Sequence, residues 1–195
     1  SEGHPDKICD QLSDTLLDAF LAQDPLSRVA IECFITTGMV VIGGEVTSKA
    51  QVNIQDVVRS KLTAIGYNHP DIGFDASSCA VLVVLNKQST DIAQGVNEND
   101  GAFVEQGAGD QGLTFGYACD QTPELMPLPI QLSQQLTLKL AQIRKENKLS
   151  YLRPDSKAQV TVEYNENREP IKVTTIVVST QHHPSISHEQ IQADI

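Results

Sequence analysis

The predicted elements repeat in the same order along the chain, and this repeat limits the possible folds more than any single motif does. Apolar residues spaced three or four positions apart predict an amphipathic helix from about Lys7 to Gln23. The pattern next predicts a hairpin with strands at 29–36 and 39–47, a helix that begins at Asn53 and stops at Gly66, and an apolar strand from Cys79 to Leu85. The order is therefore helix, hairpin, helix and strand.

The same order begins again after a polar stretch and a glycine-rich loop. The second set comprises a helix from Pro129, two strands at 159–164 and 171–180, and a final helix near Ser187. The sequence ends at Ile195, before a second closing strand. We therefore predict an α/β (α+β) fold of repeated helix, hairpin, helix and strand units, with about one and a half units in this chain.

The composition argues against several classes of protein. With 40% hydrophobic residues, the 195-residue chain can bury one sizeable core or two small ones. Its net charge of -11 and the lack of a basic patch argue against a nucleic-acid partner. No apolar run approaches the roughly twenty residues of a membrane span, and four widely spaced cysteines without a CxxC pair indicate reduced thiols. We expect a cytoplasmic protein that binds neither membranes nor nucleic acids.

A glycine-rich run from Gly107 to Gly112 encloses Asp110 and is typical of a ligand-contacting loop. The glycines also satisfy the G-x-G-x-x-G pattern of dinucleotide-binding proteins, so a Rossmann-type oxidoreductase is a rival hypothesis. That fold needs a strand before the loop and a helix after it. The preceding segment is too short and polar for a strand, and Thr122-Pro123 interrupts any helix that follows.

The first residues of the chain, Ser1 to Lys7, place ionisable groups directly before the first helix. Asp6 is predicted to cap this helix, where free backbone N–H groups and the helix dipole favour phosphate oxygens. A carboxylate at this point is also a suitable ligand for Mg²⁺, which takes oxygen ligands and often shares them with phosphates. The alternatives are a simple capping residue for Asp6 and a solvated loop residue for His4.

Two acidic residues of the first hairpin are predicted to share one face of the sheet. With a two-residue turn between the strands, Glu32 lies opposite Gly43 and Glu45 opposite Ala30, which makes the carboxylates diagonal neighbours about 7 to 8 Å apart. Like charges on a mainly apolar face need a cation or an ammonium group nearby. A bulge at the following glycine pair, which would turn Glu45 to the other face, is the alternative.

Two further clusters lie in the second half of the chain. Asp155 and Lys157 are separated by one residue in an extended segment, so both side chains are expected to point the same way. A surface ion pair is the alternative for them. The cluster from His182 to His188 suggests a zinc site, but a solvated linker is favoured because no cysteine or fourth ligand lies nearby in the sequence.

Taken in order, these motifs resemble those of S-adenosylmethionine synthetases, also called methionine adenosyltransferases. The segments that carry the resemblance are Ser1–Lys7, Gly38–Glu45, Gly73–Asp75, Gly107–Tyr117 and Leu152–Lys157. The resemblance implies three similar α/β units with pseudo-threefold symmetry, of which this chain would cover roughly the N-terminal half. The expected domains are an N-terminal unit at 1–87, a mobile active-site loop at 88–104 and an incomplete central unit at 105–195, with the C-terminal unit absent.

The resemblance also implies roles for the matching residues, which fall into three groups. The group for catalysis and ATP binding is His4, Asp155, Ser156 and Lys157, with His4 and Lys157 as the catalytic members. The group for methionine binding is Glu45, Gln88 and Asp110. The metal ligands are Asp6 for Mg²⁺ and Glu32 for K⁺, the two expected cofactors.

The activity implied by the resemblance is formation of S-adenosylmethionine from ATP and L-methionine, with release of tripolyphosphate and its hydrolysis to phosphate and pyrophosphate. The expected assembly is a homodimer or tetramer with active sites at the subunit interface. Because the family's later lysines, arginine and aspartate are absent from this sequence, we expect the isolated chain to be inactive. A noncatalytic truncated subunit that binds partners through the family's dimer surface is the alternative.

Overall fold

The computed structural model describes residues 1–97, 104–105 and 107–195 and contains two α/β units. The helices are α1 (Pro5–Leu21), α2 (Ile54–Ile65), α3 (Thr90–Val96), α4 (Leu128–Lys145) and α5 (His188–Asp194). The strands are β1 (Arg28–Thr36), β2 (Met39–Thr47), β3 (Asn68–His69), β4 (Phe74–Asp75), β5 (Ala80–Asn86), β6 (Leu152–Tyr164) and β7 (Pro170–His182). The predicted α/β (α+β) fold class is confirmed, since α1, β1–β2, α2 and β5 follow one another in the first unit and α4, β6–β7 and α5 in the second.

The core of the N-terminal unit lies between two helices and a three-stranded sheet. β1 pairs antiparallel with β2, and β2 pairs parallel with β5, so the sheet order is β1-β2-β5. α2 makes the crossover that parallel strands need. In this core Ile8, Leu12, Leu16, Val40 and Ile42 are at most 2% exposed. Full burial of each such side chain stabilises the fold by about 1.5–3 kcal/mol relative to exposure.

The start of α1 differs from the predicted one. The N-cap is His4, whose Nδ1 accepts a hydrogen bond from the backbone N–H of Asp6 at 3.3 Å. The prediction that Asp6 caps the helix was therefore wrong. Pro5 occupies the first helical position, where its fixed φ and missing N–H suit the first turn. Asp6 lies in that first turn, with its carboxylate still near the positive end of the helix dipole.

The hairpin of the second unit is longer than predicted. β6 begins at Leu152 rather than at Gln159. Pro154 obscured this extension, because proline donates no ladder hydrogen bond and is confined to strand ends, edges and bulges. The register is irregular between Leu152 and Ser156, on either side of this proline. The segment that carries the predicted ATP-binding residues of the second unit therefore belongs to the hairpin.

A short helix, α3, lies in the segment that was predicted to be a mobile loop. Ser89 caps it by accepting a hydrogen bond from the backbone N–H of Asp91 at 3.2 Å. The helix was not predicted because this polar sequence has no apolar periodicity. Residues 98–103 and 106 lie outside the described residues, and movement of the 88–104 segment stays a prediction.

Two features bear on the class of protein. Within the described parts of the chain, no helix combines the length and apolar character that a membrane span requires. All four cysteines have free thiols, as the absence of CxxC pairs indicated; they are Cys9, Cys33, Cys79 and Cys119.

Candidate functional site

The first four residues form a segment that is fixed between the two units, and we call it the N-terminal segment. Ser1 Oγ donates to the carbonyl of Pro154 at 3.0 Å and accepts from the N–H of Ser156 at 2.9 Å. From the first unit, the Tyr67 hydroxyl donates to the carbonyl of Gly3 at 2.6 Å. A side chain at Gly3 would overlap the backbone of Pro154, so this close approach requires glycine.

Glu2 ties the N-terminal segment to α4. Its two carboxylate oxygens pair with Arg144 Nη2 at 2.6 Å and with Lys145 Nζ at 2.7 Å. Arg144 also donates to the carbonyl of Ile65 at 2.7 Å, so one guanidinium group contacts both units. The Arg144 and Glu2 side chains are only 13% and 23% exposed. Ion pairs with so little exposure to solvent are weakly screened by salt. The sequence analysis missed Glu2, because no local pattern joins residues 142 positions apart.

The imidazole of His4 is held at the N-terminus of α1 in one tautomer. Because Nδ1 accepts the Asp6 N–H, it carries no proton, and Nε2 is the protonated nitrogen. Asp6 Oδ2 lies 3.9 Å from the same Nδ1, but an unprotonated Nδ1 makes no charge pair with a carboxylate. His4 therefore offers an N–H donor from Nε2, with 29% of its side chain exposed.

A cleft of about 510 Å³ lies beside this imidazole, and we call it the histidine cleft. His4, Asp6 and Lys157 line it, so the fold brings together three residues with predicted roles at the phosphate groups. Lys7 lines it too, but its ammonium group is paired with Asp10 at 2.8 Å. No carboxylate of the described residues pairs with Lys157. An N–H donor, an unpaired ammonium group and a helix N-terminus together suit an anion with several oxygens.

The other two residues predicted to bind ATP do not line the histidine cleft. Asp155 lines a neighbouring cavity of about 290 Å³ together with Tyr67, and its Oδ1 is buried without a hydrogen bond from any described residue. Ser156 is 5% exposed, and its N–H is already bonded to Ser1. No ion pair joins Asp155 to Lys157 in the part of the chain that the structure describes. Their roles at ATP stay predictions.

Glu45, Gln88 and Asp110 line a second cleft, of about 660 Å³, which we call the glutamate cleft. The fold thus brings together the three residues that were predicted to bind methionine. The β1–β2 register pairs Glu45 with Ala30 without a bulge, as predicted, which excludes the alternative that turns Glu45 to the other face. Gly44 makes this register possible, because a side chain there would overlap the Ala30 carbonyl.

Arg28 also lines the glutamate cleft, and the sequence analysis missed it. Its Nε donates to Gln88 Oε1 at 2.9 Å. Arg28 begins β1 and Gln88 follows β5, and these two strands lie on opposite sides of β2. The hydrogen bond therefore crosses the end of β2. A basic residue at the start of a strand has no distinctive sequence signal, and only the order of the strands brings it to Gln88.

The glycine-rich loop contributes to the same cleft. Gly107 and Gly109 line it beside Asp110. After the loop, the next helix in the described residues is α4, which begins at Leu128. The loop therefore lacks the following helix that a dinucleotide fingerprint requires, and the Rossmann-type hypothesis is not supported.

The predicted metal ligands Asp6 and Glu32 line a common cavity of about 280 Å³ with Asp10. Carboxylate oxygens are the donors that hard cations accept. Cys33 lines the same cavity, but burial raises the pKa of its thiol to about 12, so no thiolate competes with these oxygens. Among the described residues, no three His, Cys, Asp or Glu side chains lie close enough to hold a metal ion. An ion here would need further ligands such as water or phosphate oxygens, which is usual for Mg²⁺.

The outer face of the three-stranded sheet is apolar, exposed and carries both predicted glutamates; we call it the sheet face. Its cross-strand rows include Phe34–Val41–Leu82, Glu32–Gly43–Val84 and Ala30–Glu45–Asn86. Phe34, Leu82 and Val84 are 59%, 49% and 61% exposed. Glu32 and Glu45 share this face, as the turn length predicted.

The fold is that of an α/β protein built from repeated units, with two clefts that bring the predicted site residues together. The family model of the S-adenosylmethionine synthetase N-terminal domain matches residues 1–90, and the model of the central domain of the same family matches residues 105–195. The chain belongs to the S-adenosylmethionine synthetase family, and the resemblance noted from its motifs is confirmed.

Proposed function

We propose that the protein acts in methionine adenosyl transfer, with ATP bound through its triphosphate in the histidine cleft and L-methionine bound in the glutamate cleft. The observation that carries this proposal is the presence of two separate clefts, each lined by the residues predicted for one substrate, in a chain of this family. One offers an N–H donor, an ammonium group and a helix N-terminus. The other offers two carboxylates, an amide and the cationic groups of Arg28 and Lys87. We place the reaction in the cytoplasm, where the free cysteines would stay reduced.

In the proposed reaction the methionine sulfur attacks C5′ of ATP, the C5′–O bond breaks, and tripolyphosphate leaves. Negative charge grows on the departing oxygen, where the Nε2–H group of His4 and the ammonium group of Lys157 would stabilise it. Neither side chain has to transfer a proton, so catalysis is mainly positioning and electrostatic stabilisation. The released tripolyphosphate is then hydrolysed to pyrophosphate and phosphate.

Asp6 and Glu32 fit the metal-binding roles that the resemblance implies. The Asp6 side chain is 94% exposed at the rim of the histidine cleft and is free to share Mg²⁺ with phosphate oxygens. Glu32 would hold K⁺ at the sheet face. When bound, these cations supply positive charge that offsets the charge of the triphosphate. Asp155 and Ser156 would complete the contacts to ATP from β6.

The sheet face is the proposed contact between two copies of the chain. Its exposed residues Phe34, Leu82 and Val84 are apolar, and pairing of one patch with itself is the geometry of a two-fold dimer. Glu32 and Glu45 would then lie at the interface, so the glutamate cleft of one copy could face ATP held by the other. A tetramer would be a pair of such dimers. The same face favours a second candidate function, a noncatalytic subunit that binds a partner copy.

Equilibrium binding tests whether each cleft takes its own substrate. Titration calorimetry would use a nonhydrolysable ATP analogue with Mg²⁺ and, separately, L-methionine. Lys157→Met should weaken binding of the ATP analogue about 10- to 100-fold, because one charge-assisted contact is lost, and should leave methionine binding unchanged. Lys148→Met is the matched control, since the Lys148 ammonium group pairs with Glu146 at 2.6 Å. Equal losses in both variants would contradict the assignment of the histidine cleft.

Product formation separates an enzyme from a noncatalytic subunit. Because the isolated chain is expected to be inactive, the chain joined to a C-terminal unit of the family would be incubated with ATP, L-methionine, Mg²⁺ and K⁺, and S-adenosylmethionine would be measured by chromatography. Binding of both substrates without product favours the noncatalytic subunit. Leu82→Glu on the sheet face should shift the mass measured by light scattering from dimer to monomer and abolish any product formation. A dimer that persists in this variant would show that another surface joins the copies.

A further inference from the structure

Arg28 lines the glutamate cleft but has no part in the function proposed above. It is hydrogen-bonded to Gln88, which is proposed to bind methionine. Arg28 donates from Nε to Gln88 Oε1 at 2.9 Å, and both residues line the cleft with Glu45 and Asp110. We propose that Arg28 is a positioning residue that fixes the Gln88 amide and thereby makes the cleft selective for the carboxylate of an α-amino acid. The inference rests on the proposed function, because it describes how methionine would be recognised.

The hydrogen bond from Arg28 decides which end of the Gln88 amide is left for a ligand. A guanidinium group only donates hydrogen bonds, so the Gln88 atom that it contacts is the carbonyl oxygen. The NH₂ group therefore lies on the far side of the amide, and none of the described residues accepts a hydrogen bond from it. An NH₂ group has donors but no acceptor. Gln88 is thus set to recognise an acceptor, which in an amino acid is the carboxylate.

The other polar side chains of the cleft have the opposite preference. Glu45 and Asp110 are carboxylates, which pair with an ammonium group. They would repel a ligand carboxylate unless donors faced it. The Gln88 NH₂ group is such a donor, because Arg28 holds the other end of the amide. The cleft therefore has partners for both charged ends of a zwitterion.

Arg28 is better suited to this role than Lys87, the other cation that lines the cleft. Arg28 pairs in register with Thr47, so the sheet fixes its backbone. Lys87 is exposed, lies one residue beyond the end of β5, and forms no ion pair with a described residue. Arginine also presents its donors in a rigid planar fork, whereas a lysine ammonium group is a mobile point charge. Only the arginine is expected to orient the amide.

Calorimetry with two ligands tests the selectivity for a carboxylate. The ligands are L-methionine and 3-(methylthio)propylamine, which keeps the sulfur and the amine but lacks the carboxylate. Arg28→Met should weaken methionine binding about tenfold, as for loss of one charge-assisted hydrogen bond, and leave the affinity for the amine unchanged. Arg28→Lys retains a donor and should recover part of the lost affinity. Lys87→Met, the matched control, should change neither affinity.

The side-chain amide of Gln88 tests the positioning role without any ligand. In the wild-type protein, ¹⁵N relaxation should report an ordered Gln88 NH₂ group, and Gln88→Ala identifies its resonance by removing it. In Arg28→Met the same resonance should report fast motion, whereas in Lys87→Met it should stay ordered. Thermal unfolding of each variant shows whether the fold is retained, so that a change in the amide is not mistaken for unfolding.

These measurements separate the inference from the proposed function. Release of the amide together with a selective loss of methionine affinity supports both. A wild-type protein that binds neither ligand contradicts methionine binding, and the amide measurement alone then decides whether Arg28 positions Gln88. An equally ordered amide in wild type and Arg28→Met overturns the inference. The inference is also overturned if Arg28→Met weakens the binding of methionine and of the amine equally. It is likewise overturned if Lys87→Met, rather than Arg28→Met, selectively weakens methionine binding.

Discussion

The histidine cleft and the glutamate cleft are held together in different ways. His4 and Lys157 belong to different units, and bonds from Glu2 and Tyr67 help to hold the N-terminal segment between those units. The glutamate cleft is lined partly by β1 and β2, which already pair in one sheet, and otherwise by α3, the residues before it and the glycine-rich loop. The bond from Arg28 to Gln88 joins the sheet to the segment that follows β5.

The difference teaches that a site assembled from separate units depends on contacts outside it. Ordering side chains on separate elements costs conformational entropy. In the glutamate cleft, strand pairing has already fixed the backbones of Arg28 and Glu45, whereas in the histidine cleft specific bonds to the N-terminal segment must offset the cost of ordering. We therefore expect the histidine cleft to be sensitive to distant substitutions and the glutamate cleft mainly to substitutions of its own lining.

The largest effect should come from His4→Asn. It should lower kcat by about 10²- to 10³-fold, the usual loss when a donor to a developing negative charge is removed. KM for methionine should change little, because the proposed interaction strengthens only as the C5′–O bond breaks. Steady-state kinetics of an assembly that makes product measures both constants. His188→Asn, outside both clefts, is the control. An equal rise in KM would place His4 in ground-state binding instead.

The next effect concerns a residue outside the clefts. Glu2→Gln should lower the free energy of unfolding by about 3 kcal/mol, because the largely buried Arg144, together with the exposed Lys145, loses its carboxylate partner. ATP-analogue binding should weaken and methionine binding should not. Glu146→Gln is the matched control, since its pair with Lys148 is 54% and 64% exposed and solvent-exposed pairs contribute little to stability. Urea unfolding compares the two. Similar losses would remove the reason to treat the N-terminal segment as special.

A pH-dependent effect should follow from Tyr67→Phe. Burial, with a smaller effect of the nearby Asp155 carboxylate, raises the pKa of Tyr67 to about 12 from its ordinary 10.0. The folded state thus favours the protonated hydroxyl. The stabilisation that this hydroxyl gives to the folded state is complete below about pH 10 and is lost as the pH rises through about 12. Over that range the wild type should lose about 2 kcal/mol more stability than the variant.

At pH 7, where the Tyr67 hydroxyl is fully protonated, the wild type should be the more stable of the two proteins. Tyr67→Phe should be less stable by about 1 kcal/mol, because the Gly3 carbonyl loses its donor. Urea unfolding at pH 7 and at several values between 10 and 12 tests both statements. A stability difference between the two proteins that stays constant with pH would contradict the linkage.

The smallest effect should come from Glu45→Gln, within the glutamate cleft. Methionine should bind about tenfold more weakly, because the ammonium group loses a charged partner. Binding of the ATP analogue and stability should be unchanged. Glu32→Gln, on the same sheet face, is the control and should leave methionine affinity unchanged when K⁺ is omitted. Calorimetry measures all these affinities. Weaker binding of both substrates to Glu45→Gln would show that the clefts are not independent.

The regular elements could be predicted because their signals are local. The apolar spacing of Leu12 and Leu16 specifies the buried stripe of α1, and Gly66 ends α2 in a left-handed conformation. Turn length decided the register of the first hairpin, and hence the common face of Glu32 and Glu45. The start of β6 was predicted too late because Pro154 lies inside the strand, and α3 was not predicted because its sequence is polar.

The sequence by itself determined the elements of the fold and the chemical groups available for function. Only the tertiary structure decided which groups meet. Asp155 is two residues from Lys157 yet lines a different cavity, while Arg28 meets Gln88 across the end of β2. Such pairings have no local signal, because the distance between residues far apart in the chain is set by strand order and by the packing of one unit on the other.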